Sequence, residues 1–389
     1  MTDGNQALLS PLTNEMILAT TRSILNDAWL HAKTQESVAL ATLGLVFSPR
    51  LSVTAIGTAL AQRTGHAEKH GVKQVDRLLR NDNFVLKDCE RAYVRKVVAN
   101  RRNIITALDW TEFALDGQST ICLNLITKHG RATPLVWITV DTFSLKDHRN
   151  HFEDELLRLF KDCLPPGQLG VVVLADRGFG DVALYQELED ELGFDYVIRF
   201  RGSILVEDVK GTRKRADQWL ADSGGRELRV RRPKLTGKRC EVTTMVAVHD
   251  PRMKEPWFLA SSLPGSAKAL KLLYGKRFTI EETFRDQKDM RFGWGLYDTI
   301  VTQPARRDRL LFLAALAQLI LTLLGAIGEE MGQDKGLKTN TVKKRTHSLF
   351  RQGREYLKGR TADIASKMRE RFQYLVDSLG HTTAHYALI

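Results

Sequence analysis

The sequence predicts an α/β protein in which a mixed-sheet core sits between helical ends. Three observations carry this. Residues 1–103 repeat apolar positions at helical spacing, residues 104–200 switch to runs of Ile, Leu, Val and Thr broken by turn residues, and helical spacing returns after Pro264. At 389 residues and 43% apolar, the chain is long enough to bury a full core and to divide into two or three domains.

The elements come in order. Ile17-Leu18, Ile24-Leu25, Ala28-Trp29-Leu30 and Val38–Phe47 carry the first helical pattern. Ser52 is placed to cap a helix over Val53–Gln62, and Gly65 and Gly71 punctuate the stretch after it. Ser52–Phe84 suits a helix-turn-helix-like reader of DNA, with Lys73, Arg77 and Arg80 on one face, although any helical bundle looks similar. His66 and His70 have metal-ligand spacing but lack acidic or cysteine company. From Ile104 three strands are expected, Ile104–Ala114, Thr120–Thr127 and Pro134–Val140, with turns at Asp116-Gly117 and His129-Gly130. A helix through Phe152, Leu156, Leu159 and Phe160 ends at Pro165-Pro166-Gly167, and Leu169–Ala175 reads as a strand buried on both faces. Val182–Leu192 is a further helix and Tyr196–Phe200 a further strand. Three antiparallel strands followed by alternating helix and strand is the order of a ribonuclease H-like domain. Residues 201–262 interrupt it with short alternating runs, Glu227–Arg231, Cys240–Val248 and Trp257–Ser261, which suggest a β-rich insertion. Beyond it come a helix from Leu270 to Met290, an apolar helix over Leu310–Gly328 and a basic tail with Thr341–Tyr356. The expected division is a helical DNA-binding domain 1–103, a ribonuclease H-like core 104–305 holding the insertion at 201–262, and a helical, basic region 306–389 available for DNA contact or dimerisation.

Charge is distributed unevenly. The chain carries a net +12, yet residues 104–198 hold 7 Lys/Arg against 16 Asp/Glu. Residues 199–239 hold 13 Lys/Arg against 5 acids, residues 334–371 hold 12 against 4, and residues 1–103 hold 14 against 9. An acidic module between basic segments fits a divalent-metal site that works on a polyanion. The Leu310–Gly328 run includes Gln318 and several Ala and Gly, and is expected to be a buried helix rather than a membrane span. Met1–Leu12 lacks a secretory pattern, and Cys89, Cys122, Cys163 and Cys240 lie far apart, as reduced thiols of a cytoplasmic protein would. Walker A segments, nucleophile elbows and paired-cysteine zinc sites are not found.

Two aspartates stand out. Asp109 interrupts a strand in Ala-Leu-Asp-Trp, where Asp is disfavoured. Asp176 ends the run Val171–Ala175, at the strand end where α/β domains gather ligand-binding groups. In a ribonuclease H-like sheet their strands are neighbours, and two carboxylates so close call for a cation. Asp109 as a turn-facing residue and Asp176 as a cap are the plainer alternatives. The third piece is the 270–290 helix: at about 100° per residue, Tyr274, Arg277, Glu281, Arg285 and Lys288 form one polar stripe, while Leu273, Ile280 and Phe284 face the core.

The spacing Tyr274-x2-Arg277-x3-Glu281-x6-Lys288 resembles the Tyr-Arg-Glu-Lys motif of bacterial cut-and-paste transposases of the insertion-sequence-four family. Asp176-Arg177-Gly178-Phe179 resembles that family's Asp-x-Gly-aromatic segment around its second aspartate, and Asp109 matches the first. Thr341–Thr346 with Ser348-Leu349-Phe350 is similar, loosely, to a basic C-terminal segment of the family. The resemblance implies a ribonuclease H-like core with a β-rich insertion, and a DDE transposase in which Asp109, Asp176 and Glu281 hold two Mg²⁺ ions, with Mn²⁺ as a substitute. It implies Arg277 and Lys288 on DNA phosphates with Tyr274 in support and Arg285 on the same stripe. It also implies a DNA hairpin step with a flipped base on Trp257, and a homodimer acting on paired terminal inverted repeats and target DNA. Two alternatives stay open, a transposase-derived DNA-binding protein without catalysis and a stand-alone ribonuclease H-like nuclease.

Overall fold

The structure, a computed structural model, describes residues 8–168, 170–289, 293–296 and 299–379. Four expectations reach outside these: Leu169 at the start of the buried strand, Met290 at the end of the Leu270 helix, and the extreme ends of the N- and C-terminal regions.

Five helices come first: α1 (Asn14–Ile24), α2 (Ala32–Phe47), α3 (Val53–Thr64), α4 (Glu68–Leu79) and α5 (Leu86–Val98). Ser52 caps α3 as expected, its side chain accepting from the Ala55 amide, and Gly65 closes the helix in the left-handed conformation. Helices α3 and α4 cross at two glycines. A Cβ on Gly71 would lie 2.2 Å from the Gly57 carbonyl oxygen, so no larger residue permits this approach.

The sheet comes next. Strands β1 (Ile104–Phe113), β2 (Gln118–Ile126) and β3 (Ala132–Asp141) form an antiparallel meander; α6 (Arg149–Cys163) leads to β4 (Val171–Ala175), and α7 (Val182–Gln186) leads through a π-type turn at Glu187–Glu191 to β5 (Asp195–Phe200). Beyond β5 come β6 (Leu205–Glu207), β7 (Arg213–Arg215), α8 (Ala216–Asp222), β8 (Glu227–Arg231), β9 (Lys234–Leu235), β10 (Cys240–Glu241), β11 (Thr244–Val248) and β12 (Trp257–Ser261). Among the described residues eight strands make one mixed sheet in the order β3-β2-β1-β4-β5-β12-β11-β8, with β4 parallel to both β1 and β5. This is the expected ribonuclease H-like arrangement. The 201–262 segment is not wholly set apart, however. Its β8, β11 and β12 extend the main sheet from β5, and only β6, β7, β9 and β10 form a separate small sheet. Cys240–Val248, expected as one strand, is split between the two sheets.

The helix expected over 270–290 is also divided. It consists of α9 (Ala267–Gly275), a 3₁₀ turn at Lys276–Phe278, and α10 (Thr279–Lys288). A 3₁₀ turn advances about 120° per residue rather than 100°, so the single stripe drawn through Tyr274 and Glu281 is wrung out of line. Tyr274 is buried, whereas Glu281 is exposed. The remaining helices are α11 (Pro304–Glu330), α12 (Leu349–Tyr356) and α13 (Ala362–Asp377). The Leu310–Gly328 stretch lies wholly within the fold, packed on α2, β3, α12 and α13, which accounts for its apolar length. Thr341–His347 is irregular, so only the last part of the expected Thr341–Tyr356 segment is helical. One continuous apolar core runs from the N-terminal helices through the sheet to α11 and α13.

Candidate active site

Strand register sets the first two candidate residues. In the parallel β1–β4 pair, Leu108 lies opposite Ala175, so Asp109 and Asp176 are the next residues along adjacent strands. There β4 leaves the sheet and Asp176 caps a 3₁₀ turn at Arg177–Phe179, its Oδ1 accepting from the Gly178 amide at 2.7 Å. β1 continues to Phe113, so a cleft of about 670 Å³ opens beside its freed edge, lined by Asp109, Trp110, Glu112, Arg149, Asp176 and Lys288 among others. Burial pushes Asp109 up to about 6; the Arg277 guanidinium opposes that shift and the Asp176 charge adds to it.

Helix packing sets the third. Alternate residues of a strand share a face, so Ala107 and Asp109 point the same way. Ile280 packs on Ala107 and Ala132, which holds α10 over that face. Thr283 Oγ1 accepts from the Ala132 amide at 2.9 Å and donates to its carbonyl at 2.8 Å, and Arg131 Nε donates to Asp286 Oδ2 at 2.7 Å. Thus anchored, α10 holds Arg277 of the preceding turn against Asp109 and sets Glu281 on the other arm of the same guanidinium. Arg277 Nη1 donates to Asp109 Oδ2 at 3.0 Å and Nη2 donates to Glu281 Oε1 at 2.8 Å. The guanidinium is buried, yet its pKa is raised: desolvation pulls it down, and Tyr274, Asp109 and Glu281 outweigh that.

The family profile described as Transposase DDE domain matches residues 101–319, more than half of the chain and every element from β1 to the middle of α11. The chain belongs to the DDE transposase domain family. Among curated proteins none matches it. Transposases of this kind act on DNA, and the family is generally dependent on divalent metal.

Within the transposase domain, the donor set fits such a cation in part. Asp109 and Asp176 offer only carboxylate oxygens, as hard divalent ions prefer, and burial raises the Asp109 pKa even with Arg277 beside it, so a further cation there would stabilise the ionised form. Among the described residues no three His, Cys, Asp or Glu side chains are gathered as a ready-made metal site, because Glu281 is turned to Arg277. His66 and His70 accordingly have no third ligand, and the His66 ring bonds to Thr64.

The other candidate residues lie around this centre or, for those on α4, in a separate groove outside the matched domain. Lys288 lines the cleft, donates to the Glu112 carbonyl at 2.6 Å and lies 4.5 Å from the Phe113 ring centre; burial draws its pKa down to about 8. Arg285 turns away from the cleft to an ion pair with Glu282. Tyr274 lies beneath Arg277 and packs edge-on to Trp257 at 5.0 Å, and Trp257 also meets Phe278 at 5.7 Å. The tryptophan therefore belongs with the α9–α10 turn and not with Phe258, which packs toward Phe200. Lys73 and Arg77 line a groove of about 620 Å³ between α2 and α4 with Lys33 and His70, and Arg80 is ion-paired to Asp76. Sequence reasoning missed Trp110, Arg149 and Arg201 in the cleft lining. The Arg149-x3-Glu153 spacing was the one available signal for them.

Proposed function

We propose that the chain is a transposase that cuts transposon ends and joins them to target DNA by in-line phosphoryl transfer, with Asp109, Asp176 and Glu281 as its catalytic carboxylates. The observation that carries this reading is the side-by-side register of Asp109 and Asp176, with Arg277 linking Asp109 to Glu281. Asp109 and Asp176 would hold Mg²⁺, or Mn²⁺ in its place, and Glu281 would join them once a DNA phosphate draws Arg277 away. Two bound ions would supply activation of the attacking oxygen and stabilisation of the leaving one. Arg277 and Lys288 grip the backbone phosphates beside the cut, Tyr274 supports Arg277, and Arg285 meets DNA further along α10. Residues 1–103 bind the terminal repeat with Lys73, Arg77 and Arg80. Residues 104–305 form the catalytic unit with its insertion at 201–262, the basic 306–389 region adds DNA or dimer contacts, and two copies act on paired ends.

Changing Asp109, Asp176 or Glu281 to Ala is expected to abolish Mg²⁺-dependent cleavage of end DNA while DNA binding persists. An Asp176→Ala protein that cuts at near-normal rate removes this reading. A wild-type protein that binds end DNA but never cuts it favours the non-catalytic alternative. The second strand is cut through a hairpin, with a flipped base stacked on Trp257, whose partly exposed ring and its neighbour Phe278 form an aromatic shelf beside Arg277. Trp257→Ala should leave first-strand nicking intact and slow hairpin formation by about tenfold or more, the usual scale of a base on an aromatic face. Because Trp257 also packs on Tyr274, thermal melts of the same protein separate lost stacking from a weakened fold.

A further inference from the structure

We propose that Arg149, held by Glu153, is a phosphate-binding residue of the cleft that acts beside both aspartates and independently of the α10 helix. This rests on the reading of the cleft as the place where DNA is cut.

Arg149 is the first residue of α6 and projects into the cleft beside Asp109 and Asp176. Its guanidinium carbon lies 5.1 Å from the Trp110 ring centre and 5.9 Å from that of Phe179. Trp110 directly follows Asp109, and Phe179 closes the turn that Asp176 caps. The cation is thus seated on one ring from each aspartate-bearing segment. One turn along α6, Glu153 is buried, and its Oε1 accepts from both Arg149 Nε at 3.2 Å and Trp110 Nε1 at 2.8 Å. A carboxylate with its side chain 5% exposed fixes the arginine and the indole together, and burial raises its pKa against the pull of both partners.

The orientation decides what such a device is for. A guanidinium that only staples α6 to β1 would turn its fork inward. Here Nε alone is engaged. Neither Nη group of Arg149 has a hydrogen-bond partner among the described residues, and 47% of the side chain is exposed. That leaves a planar pair of donors, held rigidly from behind and open in front, the geometry that matches two oxygens of a phosphodiester. Pre-positioning also limits the conformational entropy lost when the ligand arrives. Lys288 lies on the same cleft, as do Arg177 and Arg201, so the acidic pair is ringed by cations suited to a polyanionic strand.

Two measurements test this. The first is the salt dependence of binding to a fluorescent duplex of arbitrary sequence, with Ca²⁺ replacing Mg²⁺ to prevent cutting. Arg149→Ala should lower the slope of log affinity against log salt by about one, the loss of one phosphate contact, and Arg149→Lys should keep the slope. The second is Mn²⁺-dependent nicking of supercoiled plasmid, expected to fall about 10- to 100-fold in Arg149→Ala, in line with a lost charge-assisted hydrogen bond. As a positioning residue, Glu153 should behave like Arg149 when changed to Ala and recover when changed to Gln, which keeps the acceptor oxygen. An Arg149→Ala protein with unchanged salt slope and unchanged nicking, beside an inactive Asp109→Ala, overturns this proposal and leaves the function standing. A lowered melting temperature with an unchanged slope makes Arg149 a staple and overturns it too. If Asp109→Ala and Arg149→Ala both nick like the wild type, the reading of the cleft itself falls.

Discussion

Two regions of this molecule bring acidic side chains together where water is scarce, and they differ in what lies next to them. At the cleft, Asp109 stands beside Asp176 with Arg277 at 3.0 Å and an open face lined by further cations. In the interior, Glu90 on α5 and Asp308 on α11 are sealed against β3. Burial, reinforced by Asp308, raises Glu90 well above the usual carboxylate range. Burial likewise pushes Asp308 up to about 7, although the Thr139 amide donates to its Oδ2 at 3.3 Å. Among the described residues Glu90 Oε1 and Asp308 Oδ1 have no hydrogen-bond partner. Desolvation raises Asp109 in the cleft and both carboxyls of the interior pair. The interior pair is pushed toward its protonated form, and the proposed role of the cleft pair is to take cations, so a shifted carboxylate is worth testing as a working site where something charged can reach it.

The largest effect that could break this contrast is catalytic. Asp109→Ala and Asp176→Ala are expected to cost several orders of magnitude in metal-dependent cleavage, and Asp308→Asn nothing beyond a small change in stability. Equal losses at Asp308 would erase the distinction. A narrower comparison lies within α10. Glu281→Gln should inactivate, whereas Glu282→Gln should be mild, because among the described residues the partly exposed Glu282 pairs with Arg285 and, at 3.5 Å, with Arg131, away from the two aspartates. The reverse order in a cleavage assay would move the candidate acid by one residue.

The smallest effect concerns pH. Asp308 has a folded pKa of about 7 against an ordinary 3.8, so the folded protein holds its proton across that window and the unfolded chain does not. Its contribution is therefore greatest below pH 3.8 and is lost as pH rises toward 7. Asp308→Asn should raise Tm at pH 8 by about 2–4 °C and flatten the fall in Tm over that range. A variant whose Tm-against-pH curve parallels the wild type would show that Asp308 is not the group responsible.

Much of this arrangement was legible in the residues, for identifiable reasons. The Ser52 cap, the buried 310–328 helix and the strand Trp257–Ser261 are written in local chemistry and period, and they stand where expected. Asp109 and Asp176 could be paired from strand order alone, because parallel register is a simple count once the order is known. The break at Lys276–Phe278 was missed: no proline marks it, and Gly275 just before it is a weak signal that helical spacing on both sides outweighed. Nor could alternation tell which sheet the strands of 201–262 would join, since period fixes the face of a strand and not its neighbour. Arg149 escaped for the same reason. Its meaning lies in Trp110 and Phe179, which approach it only in the folded chain.

The extension of the main sheet by β12 has a mechanical consequence. Trp257 begins β12, and the order β1-β4-β5-β12 places it three hydrogen-bonded steps from the strand that carries Asp109. At about 4.8 Å per step across the sheet and about 3.3 Å per residue for the two residues between Leu259, in line with Asp109, and Trp257, the sheet works as a stiff gauge with those two stations about 16 Å apart, or roughly four to five base-pair rises. A plate laced by backbone hydrogen bonds does not shorten on demand. On the proposed roles of Asp109 and Trp257, a DNA strand meeting both stations would itself have to bend, and steps that unstack easily would do so with the least work.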